Sequence, residues 1–216
     1  MDYLFFAITL LGLLILISYL ALKYHMLNDE STAKKRPYSY ARTQLAWWTF
    51  IVIACIVTLF WITGNIPALD TSSLALLGMG ALTTGFARVI DVSDTNAAKS
   101  ADAPVALAAP ADPAAPAVAV AAVAVAAAPL SRDKESQGFF LDILSDNNGI
   151  SIARLQSLLF NLTFGLYYLY QFGVAIATLQ RHASVDKILP VFSTQQLALI
   201  GVSSFAYLGL KASENK

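Results

Sequence analysis

The chain has 216 residues, of which 57% are hydrophobic and 13% charged, and its mean hydropathy is +0.61. That balance excludes an ordinary soluble domain and points to an integral membrane protein. The formal net charge of zero gives no reason to expect a nucleic-acid partner. Cys55 is the single cysteine, so no internal disulfide can form. With only His25 and His182 beside it, no thiolate or imidazole metal cluster is expected.

A helix needs about 20 predominantly apolar residues to cross a bilayer core about 30 Å thick. On that measure five spans are expected, at 4–22, 44–62, 73–90, 155–179 and 195–210, the last being the shortest. The first span lacks a basic flank before it and a small-residue cleavage site after it, so it is expected to remain as an anchor rather than be removed as a signal peptide. The fold class is therefore an all-α membrane bundle. Its expected divisions are an anchor and basic loop (1–36), a helical hairpin (37–95), an Ala/Pro-rich linker (96–136), an interfacial helix and turn (137–150), and a second helical hairpin (151–216).

The two hairpins read as copies of one unit. Ser39-Tyr40-Ala41-Arg42-Thr43-Gln44 returns as Ser151-Ile152-Ala153-Arg154-Leu155-Gln156, and Leu74-Ala75-Leu76-Leu77-Gly78 returns as Leu197-Ala198-Leu199-Ile200-Gly201. Basic residues favour the cytoplasmic side. With the amino terminus outside and the carboxyl end inside, every Lys and Arg except Arg181 and Lys187 falls there, which suits the plasma (inner) membrane. Both hairpins then enter from the cytoplasm, as parallel repeats related by an axis along the membrane normal.

Five of the prolines, Pro104, Pro110, Pro113, Pro116 and Pro129, fall in the linker and preclude a continuous helix through its first half. After it, Phe139, Phe140, Ile143 and Leu144 share one helical face, with Asp142 and Asp146 away from it, as in a short helix lying on the membrane surface. Asp146-Asn147-Asn148-Gly149 has the look of a calcium loop. Aligning Gly149 with that loop's glycine, however, puts Leu144 and Leu155 where carboxylates are needed, so a turn leading to Ser151 as a helix cap is the better reading.

Arg42 and Arg154 fall in the first turns of the second and fourth spans, where the helix dipole disfavours a cation. The expected compensation is Arg42 with Asp91 and Arg154 with Glu214, at the ends of the returning helices. Lipid phosphate, or another anion, is the other candidate partner. Gln44 and Gln156 lie about 200° around the helix from their arginines and face elsewhere. Trp47 and Trp48, with Tyr38 and Tyr40, are expected in an interfacial belt. Tyr167, Tyr168 and Tyr170 fall deep enough that their hydroxyls need interhelical partners.

Gly78, Gly80, Ala81, Thr84 and Gly85 in the third span, and Gly201, Ser203, Ser204 and Gly209 in the fifth, are small enough for close helix packing in lipid. The same stripe, through Thr83, Thr84, Ser203 and Ser204, could instead line a narrow pathway. No charge lies deep in the second to fifth spans, and no nucleophile has a histidine placed to serve it. The expectation is a non-enzymatic protein without metal or cofactor, whose partners are the bilayer and itself or another membrane protein. A structural or accessory subunit is the main reading, and a homo-oligomeric channel lined by the third and fifth spans is the alternative.

Overall fold

The structure is a computed structural model that describes residues 2–101, 134–146, 149–179 and 188–213. Its elements in chain order are α1 (Asp2–Tyr24), α2 (Tyr40–Thr63), α3 (Thr71–Ala101), α4 (Phe139–Leu144), β1 (Ser145–Asp146), β2 (Gly149–Ile150), α5 (Ile152–Ala177) and α6 (Thr194–Lys211). Four helices are long and apolar enough to cross a membrane: α1, α2, α3 through Asp94, and α5. The fifth expected span is the helix α6, which is not among them. The proline-rich part of the linker, with Asn147, Asn148, Arg181, His182, Lys187 and Glu214, lies outside the described residues.

Local chemistry sets the helix ends. At the close of α1, His25 takes the left-handed conformation at φ 53°. Gly64, at φ 75°, does the same after α2, and its N–H donates to the Phe60 carbonyl. Asp70 Oδ1 accepts from the Ser73 N–H at 2.6 Å and so caps α3. Before α6, Ser193 and Gln196 form a reciprocal capping box. Helix α3 continues well beyond the expected stop at Ile90, into the first residues of the expected linker, because proline does not appear until Pro104.

The four long helices α2, α3, α6 and α5 form a ring in that order, with α1 laid across α2 and α5. Antiparallel pairing of α2 with α3 shows in Thr84 Oγ1 meeting the Ala41 carbonyl at 3.2 Å. That of α5 with α6 shows in Arg154 lying over Tyr207. The two helical hairpins are thus parallel to each other, as the sequence suggests, but they stack as layers, with α2 beside α5 and α3 beside α6. A two-fold axis along the bundle would place α2 opposite α5. The observed adjacency is instead that of two side-by-side layers, which an axis along the membrane normal does not relate.

Two apolar clusters fill the bundle. One contains Trp48, Ile51, Cys55, Leu76, Tyr168, Phe172 and Ile200, and is closed at its far end by Leu189 and Phe192 from the segment before α6. Phe192 lies among the rings of Trp48, Phe164, Tyr167 and Tyr168, and its N–H donates to Ser72 Oγ at 2.9 Å. The second cluster, Tyr40, Ala41, Ala87, Ile143, Tyr207 and Leu208, lies where α2 and α5 begin and α3 and α6 end. This is the charged end of the bundle.

Candidate functional site

Asn161 is the centre of the chemistry. It lies on the inward stripe of α5 formed by Arg154, Ser157, Asn161, Gly165 and Tyr168, a spacing of three and four residues that keeps these side chains on one face. Its Oδ1 accepts from Trp48 Nε1 at 2.7 Å and from Gln44 Nε2 at 3.2 Å. Its Nδ2 donates to Tyr40 OH at 3.2 Å and to the Ser157 carbonyl at 2.7 Å. Even its backbone carbonyl is used, by Trp47 Nε1 at 3.0 Å.

From there the network reaches α6. Gln44 Nε2 also donates to Ser204 Oγ at 2.8 Å. The Tyr40 hydroxyl donates to Ser157 Oγ at 2.6 Å, which donates to Ser203 Oγ at 3.4 Å, and both Ser203 and Ser204 return their protons to the Ile200 carbonyl. The relay therefore ends on a backbone acceptor. Beyond it lies the apolar cluster of Trp48, Ile51 and Leu76, and the next interhelical hydroxyl pair, Ser73 with Tyr168 at 2.8 Å, sits on the far side.

At the charged end, Lys211 is buried between two carboxylates, with Nζ 3.0 Å from Asp91 Oδ2 and 3.5 Å from Asp29 Oδ2. It lies one residue beyond the expected fifth span. Burial opposes its charge, but Tyr207, Asp29 and Asp91 together outweigh that effect and raise its pKa above the ordinary lysine value. Arg154 donates to the Ser145 carbonyl, and its guanidinium lies 5.4 Å from the centre of the Tyr207 ring. These groups, with Asp29, Tyr38, Tyr40 and Asp142, line a polar cavity of about 260 Å³.

One wall of that cavity is organised by Asp142. Its carboxylate accepts from Ser136 Oγ at 2.6 Å, the Gln137 N–H at 2.8 Å and the Tyr38 N–H at 3.1 Å. It therefore ties the start of α4 to the residues just before α2 instead of facing water as the helical pattern suggests. Ile143 beside it is buried, whereas Phe140 is 70% exposed. The fragment with the look of a calcium loop forms the small antiparallel pair β1–β2, with Asp146 opposite Gly149. Among the described residues no group of three or more His, Cys, Asp or Glu side chains is placed to hold a metal ion.

The predicted site residues divide clearly. Arg42 lies 3.6 Å from Glu30, which also binds Arg88, while Asp91 takes Lys211, so the expected Arg42–Asp91 pairing is replaced by two others. Arg154 meets α6 through Tyr207, and Glu214 lies outside the described residues. Gln44 is buried in the network, whereas its repeat counterpart Gln156 is exposed. Gly201 packs against Met79, and Gly80 against Leu45, but a side chain at Gly78 or Gly85 would meet open space. Thr84 donates to Gly80 and Ala41 carbonyls, which leaves its hydroxyl occupied within the bundle.

Trp47 and Trp48 both turn their indole nitrogens toward Asn161 on α5. Trp48 is fully buried, and Trp47 packs so closely on α5 that a Cβ at Gly165 would lie 2.5 Å from its Nε1. Of the three tyrosines, Tyr168 makes the expected interhelical bond, Tyr167 bonds Gln171 on its own helix and Tyr170 is 67% exposed. Asn161 is the residue that sequence reasoning passed over. Its signal was available, as the one carboxamide in the first half of the fourth span besides the shallow Gln156.

Four helices of membrane-crossing length, with polar groups turned inward and apolar residues outward, define a helical membrane protein in contact with the bilayer. No protein-family model, curated protein or solved structure matches the chain.

Proposed function

We propose that this chain is a non-enzymatic structural or accessory subunit of a larger membrane assembly, made of five spans with a duplicated helical hairpin. In this reading its amino terminus is outside and its carboxyl terminus cytoplasmic in a plasma (inner) membrane. The observation that carries the proposal is the self-sufficiency of the buried polar network. Apart from Gln44 Oε1, the polar groups of Tyr40, Gln44, Ser157, Asn161, Ser203 and Ser204 bond to one another, to Trp48 and to backbone carbonyls of the bundle. Such groups hold helices together in lipid and leave little for a substrate.

The same observation weighs against the channel alternative, since the hydroxyls of Thr84, Ser203 and Ser204 point to carbonyls within the bundle. The duplication is supported by the matching starts of α2 and α5, where Ser39 and Ser151 have φ/ψ of −92°/123° and −88°/124°. Helix α6, with 18 residues, is about 27 Å long, close to the thickness of a hydrocarbon core.

The test is the mass and composition of the complex extracted from its native membrane into nanodiscs. Co-extraction with another membrane protein, in fixed ratio, is the expected result. A lone monomer would overturn the reading, and a homo-oligomer passing ions in planar bilayers would replace it with the channel.

A further inference from the structure

The loop between α1 and α2 carries two acids and three consecutive cations, and the structure treats them differently. Asp29 is taken by Lys211 on α6, and Glu30 by Arg42 on α2 and Arg88 on α3. Lys34, Lys35 and Arg36 are left exposed at the tip. The loop's two acids are thus paired with helix cations, Asp29 inside the bundle and Glu30 at its surface, while its three consecutive cations are presented outward.

That presentation is fixed by the backbone. The Asp29 N–H donates to the Pro37 carbonyl and the Ser39 N–H to the Leu27 carbonyl, both at 2.8 Å, and Asn28 Nδ2 holds the Arg36 carbonyl at 2.8 Å. From the other side, the Ser136 N–H donates to the Lys35 carbonyl at 3.0 Å. The cluster also has a defined depth. It follows the end of a 23-residue apolar helix whose Leu22 and Tyr24 are 74% and 62% exposed, and such a helix, about 35 Å long, reaches the headgroup layer.

We infer that Lys34, Lys35 and Arg36 form a preorganised site for the phosphodiester headgroups of anionic lipids. Clustered cations next to a membrane span are drawn to anionic lipid within about a Debye length of the surface. Holding three of them on one pinned loop reduces the ordering that each contact requires. A nucleic acid is a poorer fit, because the exposed surface beside the cluster is the apolar end of α1.

The inference rests on membrane insertion and is independent of the accessory-subunit reading. The purified full chain, in a neutral detergent, is titrated with phosphatidylglycerol and with phosphatidylcholine, and bound lipids are counted by native mass spectrometry. Preferential retention of phosphatidylglycerol is expected, falling by about ten-fold in the triple variant K34Q/K35Q/R36Q. The charge-preserving variant K34R/K35R should keep it, and thermal melts of all variants verify folding. Undiminished preference in a folded triple variant overturns the inference, as does equal competition by soluble glycerol phosphate or RNA. Carbonate extraction of the reconstituted protein checks insertion separately.

Discussion

Trp48 and Asn161 meet across the α2–α5 interface, indole nitrogen to amide oxygen, at 2.7 Å, with both side chains buried. Each lies well inside its helix, so the contact joins the two hairpins within the apolar depth of the bundle. A buried indole N–H otherwise left in hydrocarbon has no alternative acceptor.

Replacing Asn161 by leucine should therefore destabilise the folded bundle by about 2 kcal/mol, since several interhelical bonds are lost together. Unfolding in mixed micelles measures this. Trp48→Phe combined with Asn161→Leu should cost less than the sum of the two alone, because both remove the same bond. Gln44→Met should be milder than Asn161→Leu, since it removes two donated bonds, to Asn161 and Ser204, and with them the buried Gln44 Oε1, which has no hydrogen-bond partner among the described residues.

Gly165 and Gly173 provide a contrast on one helix. At Gly165 a Cβ would lie 2.5 Å from Trp47 Nε1 and 2.7 Å from Ile51 Cδ1, whereas at Gly173 it would meet nothing within 4 Å. Gly165→Ala should cost about 1–3 kcal/mol through overpacking. Gly173→Ala should be neutral or stabilising, by up to about 1 kcal/mol, because only helix propensity changes. The same micelle unfolding assay reads both.

The ion pairs at the charged end predict a particular pattern of coupling. Lys211→Met leaves Asp91 and Asp29 facing each other's charge, at a cost of about 3 kcal/mol, and Asp91→Asn should recover part of it. Arg42→Ala and Asp91→Ala should be additive, because their partners differ. Strong coupling of the latter pair would return Arg42 to Asp91.

Cys55 is fully buried in the apolar cluster. A membrane-permeant maleimide should leave it unmodified in the native protein and modify it completely after unfolding. In a Cys55→Ala background, a cysteine introduced at exposed Lys35 should react with an impermeant maleimide only from the cytoplasmic side. Reaction from outside would invert the proposed orientation.

The sequence shows which helices are long and apolar enough to cross a bilayer more readily than it shows how they face each other. Hydropathy alone locates α1, α2, α3 and α5, because lipid selects for continuous apolar length. Sequence order pairs Arg42 with Asp91, but Asp29 and Glu30, in a loop with no periodicity to place it, reach the cations of three helices. The repeat misled in a related way. Equal sequence at Gln44 and Gln156 does not produce equal burial, since stacked layers turn different faces of α2 and α5 inward. Trp47 and Trp48 fit an interfacial pattern by position, and only the approach of α5 at Gly165 shows Trp48 buried and Trp47 half-buried against that helix.

The network around Asn161 also bears on the order of events during synthesis. The first hairpin carries Tyr40, Gln44 and Trp48, whose partners Ser157, Asn161 and Ser204 belong to helices translated later. Until α5 and α6 emerge, the newly inserted first half holds polar side chains in lipid with no interhelical acceptor. The arrival of the second hairpin satisfies them. A chain arrested after α3 should accordingly be a preferred substrate for membrane quality control, while the full chain escapes it.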